Sequence, residues 1–220
     1  MSEAEPWLEP EEQGCRLLLA ASTADLGPGR EARLADMLAR PEVAGLLLEV
    51  AAPGAAELGR WRDRCHAAEA ALILVDAVEP VAMGLADGVH LRDWRAVAEV
   101  RGRLGGGALV GAACDLSRHA AMVAGENGAD YVMFGAQETP PRADTERLVE
   151  LCAWWAELFV LPCAAAIPPD PELAGRLARV GAGFVIVAPA LREAPAEAPE
   201  IIATLAAALA AAAGRGNGTS

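Results

Sequence analysis

The sequence predicts an α/β protein folded as a single (β/α)8 TIM barrel, and three observations carry that prediction. Short apolar runs alternate with segments of helical spacing along most of the 220 residues, the rhythm of βαβ units. The apolar runs number eight, followed by a final alanine-rich helix. They lack clean two-residue alternation, as expected of strands in a parallel sheet buried on both faces. A doubly wound open sheet is the rival arrangement. Eight units with a terminal helix in a chain of this length favour closure.

The candidate strands, in order, are Arg16–Ala20, Gly45–Val50, Ala71–Asp76, Gly88–Leu91, Ala108–Ala112, Tyr131–Phe134, Phe159–Ala164 and Phe184–Val187. Helical spacing joins Leu34, Met37 and Leu38, and again Leu148, Leu151, Cys152 and Trp155. Leu173, Leu177 and Val180 form a third such stripe, introduced by an Asp170 cap with Pro171 in the first turn and closed by Gly181. Of the adjacent Trp154 and Trp155, one side belongs to the core and the other is available to an oligomer interface. Residues 1–14 read as a disordered acidic segment, residues 15–213 as the barrel and residues 214–220 as a flexible tail.

Composition narrows the function. The chain is 54% hydrophobic, 4% aromatic and carries a net charge of −13. Such a balance argues against nucleic-acid partners and anionic membrane surfaces, since nothing here neutralises a phosphate backbone. Every basic residue is an arginine, which genome composition alone can explain. The chemical consequence stands either way: no Schiff base and no lysine phosphate clamp can form. The five cysteines (Cys15, Cys65, Cys114, Cys152 and Cys163) are scattered and read as reduced thiols. The head lacks an apolar signal core, and Ile201–Ala213 is too short for a membrane span. The expectation is a soluble, cytoplasmic protein.

In this fold the strand C-termini and the loops after them form the active face. Glu49 follows the second strand, Asp76 ends the third, and His90, Arg92 and Asp93 belong to the fourth. Cys114 and Asp115 lie past the fifth strand, and Gln137, Thr139 and Arg142 past the sixth. The seventh and eighth are followed by Ile167-Pro168-Pro169 and Ala188-Pro189. Each residue has a plain alternative. Asp76 and Asp93 either cap helices or hold a metal or substrate, and Asp115 reads as an N-cap. His90 is either a buried hydrogen-bonded histidine or a catalyst. Cys114 is a small strand-end residue unless a base lies near. Arg142 either clamps an anion or is solvated.

Two segments resemble the thiamine phosphate synthase family, including its thiazole tautomerase (TenI-like) relatives. The first is Leu72-Ile-Leu-Val-Asp76 followed by Ala86-Asp-Gly-Val-His-Leu91, where the family reads LIIND…GADGVHLGQ. The second is Gly128-Ala-Asp-Tyr-Val-Met-Phe-Gly135, similar to GADYVxFGP. Weaker echoes are Val110-Gly111, Pro162 and Gly181-Ala-Gly183, in matching order over about Arg16 to Leu191. The resemblance implies a barrel, often dimeric. In members with synthase activity it implies joining of a pyrimidine diphosphate to a thiazole phosphate, with loss of pyrophosphate assisted by Mg²⁺. It assigns the metal to Asp76 and, approximately, Asp93, and pyrophosphate stabilisation to Arg142.

The departures concentrate on phosphate handling. The QLRxK-like cations after the second strand are missing, and no basic residue lies between Arg40 and Arg60. Val75 replaces the family's asparagine, Arg92-Asp93 its Gly-Gln, and Ala113 its serine. Ile167-Pro168 and Ala188-Pro189 stand where the family has a Gly-Gly pair and a serine, and proline carries no N–H for a phosphate. The fifth-strand loop holds Cys114-Asp115 where tautomerases carry a histidine. The candidate set is therefore Cys114 and Arg142 for catalysis, and His90, Arg92, Gln137, Thr139, Ile167 and Ala188 for substrate binding. Asp76 and Asp93 are the metal candidates, for Mg²⁺ if the chain is active as a synthase and otherwise for no cofactor. The expected function is a transferase-like barrel of thiamine biosynthesis with synthase chemistry impaired or lost, working as a homodimer on a small molecule. The alternatives are a non-catalytic barrel binding a weakly charged ligand or protein partner, and an enzyme using Arg92, Asp93, Cys114 and Gln137 on a non-phosphorylated substrate.

Overall fold

The computed structural model describes residues 14–23, 28–51, 54–135, 144–187 and 196–216. Eight strands run in chain order around a closed barrel: β1 (Arg16–Ser22), β2 (Val43–Glu49), β3 (Ala71–Val75), β4 (Gly88–Leu91), β5 (Leu109–Ala113), β6 (Tyr131–Phe134), β7 (Cys163–Ile167) and β8 (Phe184–Val187). All neighbours are parallel, and β1 closes the ring on β8 through Arg16–Phe184 to Leu19–Val187 pairings. Closure excludes the open-sheet alternative.

The helices in the described residues are α1 (Pro28–Leu38), α2 (Ala55–Ala67), α3 (Val78–Ala82), α4 (Val97–Leu104), α5 (Arg118–Glu126), α6 (Thr145–Leu158), α7 (Pro171–Arg179) and α8 (Ala198–Gly216). Helix α7 starts as its sequence dictates: Asp170 accepts the N–H groups of Glu172 and Leu173 at 3.0 and 3.1 Å, with Pro171 in the first turn. Gly181 follows it at φ +90°. The last helix extends three residues beyond the expected boundary at 213. Residues 1–13 and 217–220, expected to be disordered or flexible, lie outside the described residues.

Two apolar layers result from strand alternation. Leu19, Leu46, Leu48, Leu72, Leu74, Val89, Leu91, Val110 and Val132 point outward into the large layer beneath the helices. Leu18, Leu47, Ile73, Val75, Tyr131, Met133, Ala166, Phe184 and Ile186 point inward and fill the lumen. The lumen is packed, not open.

One strand lies elsewhere than the apolar run suggested. The run Phe159–Ala164 predicts β7, but the strand is Cys163–Ile167. Phe159 instead ends helix α6, its ring stacked on Trp155 with centroids 4.1 Å apart and edge-on to Trp154 at 5.5 Å. That aromatic cluster outcompetes strand pairing, and Pro162 has no N–H to donate to a ladder. Trp155 is core, whereas Trp154 is half-buried beneath the Arg118 guanidinium.

The N-terminal face of the barrel is fastened by two aspartates of one kind. Asp87 donates its N–H to Leu72 O (2.9 Å) and takes the Leu72 N–H on its carboxylate (2.8 Å). Asp130 repeats the exchange with Val110, at 2.7 Å in each direction. Each carboxylate is also held from outside, Asp87 by His66 at 2.8 Å and Arg62 at 3.3 Å, Asp130 by Arg101. Both belong to the segments that carry the family resemblance. They are ladder-extending latches at the floor.

Candidate active site at the barrel mouth

The centre of the site is built from one row of the sheet. His90 of β4 pairs with Val75 of β3 and Gly111 of β5, and Gly111 pairs in turn with Tyr131 of β6. The side chains of Val75, His90 and Tyr131 point into the lumen. A Cβ on Gly111 would lie 2.1 Å from Tyr131 Cζ, so glycine is what lets the tyrosine ring cross to its neighbour's neighbour. There the phenol oxygen and His90 Nδ1 lie 2.9 Å apart. His90 is fully buried, and burial pushes its pKa down to about 4, with Asp76 opposing and Arg92 assisting. Burial also raises the Tyr131 phenol, which keeps its proton. Tyr131 donating to Nδ1 satisfies both groups and puts the imidazole proton on Nε2, an assignment made from the network. His90 Nε2 finds no partner among the described residues.

Above this row lies an ion cluster. Arg92, two residues past His90, sends its side chain across β3 toward β2. Its Nη2 lies 3.0 Å from Glu49 Oε1 and its Nη1 donates to Asp76 Oδ2 at 3.1 Å. The Arg92 backbone N–H donates to Asp76 Oδ1 at 2.9 Å, so both oxygens of Asp76 are engaged by one residue. Partial burial disfavours the guanidinium charge, but the Glu49 and Asp76 carboxylates outweigh it and hold the group above its ordinary pKa. Asp76 adopts the left-handed region at φ +53°, as Asp115 does at +48°. Aspartate tolerates that region better than most residues, at a cost of about 1 kcal/mol or more each.

The remaining candidates separate into three groups. Asp93 caps the short 3-10 turn Trp94–Ala96, accepting the Arg95 N–H at 3.1 Å, and it also contacts the Arg95 guanidinium while largely exposed. Cys114 and Ile167 are buried in the outer layer beneath the helices, so their side chains do not reach the mouth. For Cys114, expected as a catalytic thiol, burial raises the pKa to about 12 and its Sγ sits 3.5 Å from Ala112 O. For Ile167, strand parity is the reason: its neighbour Ala166 is the inward residue. Gln137, Thr139, Arg142 and Ala188 lie outside the described residues. Asp115 is not an N-cap; Ser117 caps α5 by accepting the Ala120 N–H at 3.2 Å.

The residues present do not fit Mg²⁺ at the place the resemblance gives it. That ion asks for open oxygen ligands at about 2.0–2.1 Å in octahedral array. Asp76 has both oxygens occupied by Arg92, and Asp93 is turned to its own turn. Among the described residues no cluster of three or more His, Cys, Asp or Glu is arranged to hold a metal. Tyr131, Gly111 and the use of Glu49 escape a strand-end survey. The signal for Tyr131 was available, since it is the sole tyrosine and stands on the inward parity of β6.

Residues 54–191 match the family described as thiamine monophosphate synthase (TMP-TENI). Curated relatives include the thiamine-phosphate synthase of Erythrobacter litoralis, 39% identical over 132 residues, covering 58% of this chain and 62% of that protein. The thiamine-phosphate synthase of Rhodospirillum centenum is 40% identical over 133 residues, covering 57% and 62%. The matches thus span less than two thirds of these relatives' length. Among solved structures, thiamine phosphate pyrophosphorylase from Pyrococcus furiosus superposes with a TM-score of 0.70 at 19% identity, over 90% of this chain and 96% of that one. (S)-3-O-geranylgeranylglyceryl phosphate synthase from Thermoplasma acidophilum gives 0.68 at 12% identity, over 95% and 99%. At such identities the structures show the barrel fold alone.

Proposed function

The chain belongs to the thiamine monophosphate synthase family, and on that premise we propose that it is a thiamine-biosynthesis barrel whose synthase step is impaired or lost. The step in question joins a pyrimidine diphosphate to a thiazole phosphate. The observation that carries the reading is the Glu49–Arg92–Asp76 cluster. The strong cation found at the described mouth is already neutralised by two carboxylates, leaving that cluster one negative charge in excess. A departing pyrophosphate needs preorganised positive charge or amide donors. Among the described residues the mouth offers it an over-compensated arginine above a buried, neutral histidine.

Mg²⁺ in an active synthase supplies charge to the leaving group, and the described residues do not fit that ion. What this chain's own groups do is bind. Arg92 has N–H groups beyond those its two carboxylates accept, while the Nε2–H of His90 is fully buried below them. The free Arg92 donors favour a small, weakly charged ligand bearing acceptor atoms, the second reading of the site. Gln137, Thr139, Arg142 and Ala188 are the loop positions to complete it. In the same reading the protein is a cytoplasmic homodimer. The five free thiols support a reducing compartment, and the exposed Leu158 and Val160 beside half-buried Trp154 support an interface. No helix in the described residues is long and apolar enough to cross a membrane.

Calorimetric titration with thiamine phosphate and with pyrophosphate, each with and without Mg²⁺, tests the proposal. Silence from pyrophosphate under both conditions is the expected result. Magnesium-dependent micromolar binding, or measurable formation of thiamine phosphate from the two precursors, overturns it.

A further inference from the structure

Glu49 ends β2 and Asp76 immediately follows the neighbouring β3, the last pair between these two strands being Leu48–Leu74. Between them sits a single guanidinium, 3.0 Å from Glu49 and 3.1 Å from Asp76, and the backbone of the same residue takes the other Asp76 oxygen at 2.9 Å. We infer that Arg92 is a tethered substitute for a divalent cation. It makes the mouth metal-independent, and removing its charge opens a divalent-cation site on Glu49 and Asp76.

Geometry and charge support the inference separately. A hard divalent ion coordinates carboxylate oxygens at about 2.0–2.6 Å, within the space that the guanidinium nitrogens now fill. A planar guanidinium with five donors in a fixed fork spans two carboxylates as a single ammonium cannot. Asp76 is held in a left-handed conformation at φ +53°, and both of its oxygens meet Arg92 rather than the helix that follows. That costs backbone energy, and in this conformation the Asp76 N–H donates to His90 O at 3.0 Å while the carboxylate turns to Arg92. Without Arg92, two partly exposed carboxylates on adjacent strands would face each other unpaired in a chain of net charge −13, which is the setting that recruits a cation. The inference rests on the geometry and charge of the Glu49–Arg92–Asp76 cluster, and not on loss of the synthase step.

The test uses Mn²⁺ alone as probe, with its free paramagnetic resonance signal as readout, on the full-length wild type, Arg92→Gln and Arg92→Gln/Asp76→Asn. The wild type is expected to leave Mn²⁺ free. Arg92→Gln should bind it at least about tenfold more tightly, and the double variant should lose the gain. A parallel melting series reads the same event: Mn²⁺ raises the Tm of Arg92→Gln and leaves the wild type and double variant unmoved. Should Arg92→Gln fail to fold, Arg92→Met keeps the apolar stem and must show the same gain. Wild-type Mn²⁺ binding that Asp76→Asn abolishes overturns the inference, as does a folded Arg92 variant with no gain. Pyrophosphate binding by a wild type that ignores Mn²⁺ alone overturns the proposed function and supports Arg92 as the resident cation.

Discussion

The two ends of this barrel use aspartate in opposite ways. At the floor, Asp87 and Asp130 sit in ordinary backbone conformations and take the amide of the preceding strand, so each carboxylate prolongs the β-ladder by one bond. At the mouth, Asp76 and Asp115 occupy left-handed backbone, and the Asp76 carboxylate engages an arginine instead of a strand. The floor is built to hold and the mouth to present. Asp76 and Asp87 both come from the first stretch resembling the family, only eleven positions apart, so the resemblance mixes scaffold and site. A shared motif is therefore not a catalytic residue until its end of the barrel is known.

Substitutions can sharpen or break that contrast. The largest effect is expected midway between the two faces. Gly111→Ala drives a methyl into the Tyr131 ring and parts it from His90, combining overpacking with an orphaned buried imidazole. A loss of about 4 kcal/mol in urea unfolding is expected; a loss under about 1 kcal/mol would show that the lumen is looser than its packing implies.

Next comes the floor. Asp87→Ala removes the acceptor of the Leu72 amide and the partner of His66 and Arg62, and should cost about 3 kcal/mol. The corresponding mouth change, Asp76→Gly, should cost under about 1 kcal/mol, because an exposed ion pair is lost while backbone strain is relieved. Equal losses at the two positions would abolish the distinction drawn between the faces.

Acid provides a third probe. Burial sets the His90 pKa at about 4 against an ordinary 6.5, so the unfolded chain binds a proton that the folded chain refuses. Stability from this group is complete above pH 6.5 and falls as the pH drops toward 4, by up to about 3 kcal/mol in total. Unfolding free energies measured across that window should show the fall, and His90→Gln should remove this histidine's share. A His90→Gln profile as steep as the wild type's would place the acid sensitivity elsewhere.

The scaffold was legible and the site was not, for a physical reason. Strands and helices announce themselves locally, through apolar runs and through caps such as Asp170-Pro171 before α7. The failure at β7 came where an aromatic cluster at Phe159 competes with strand formation, which run length does not encode. At the mouth, the strand ends pointed to Asp76 for a metal and to His90 and Arg92 for substrate, not to one ion cluster above a buried histidine. Their joint arrangement depends on register around a closed ring: Arg92 of one strand must reach across another to Glu49 of a third. Parity along each strand would have removed Cys114 and Ile167, whose side chains face the helices.

The ring closure also sets a kinetic order. Seven of the strand pairs join consecutive elements, while the seam between β1 and β8 joins residue 16 to residue 184, across most of the chain. Arg16 lies at that seam, its N–H on Gly183 O at 3.0 Å and its guanidinium on Val43 O at 3.0 Å. Contacts of such separation carry the largest loop-closure entropy and form slowly. The prediction is that the seam closes last and opens first, so that under native conditions the amides of β1 and β8 exchange with solvent ahead of those in β4 and β5.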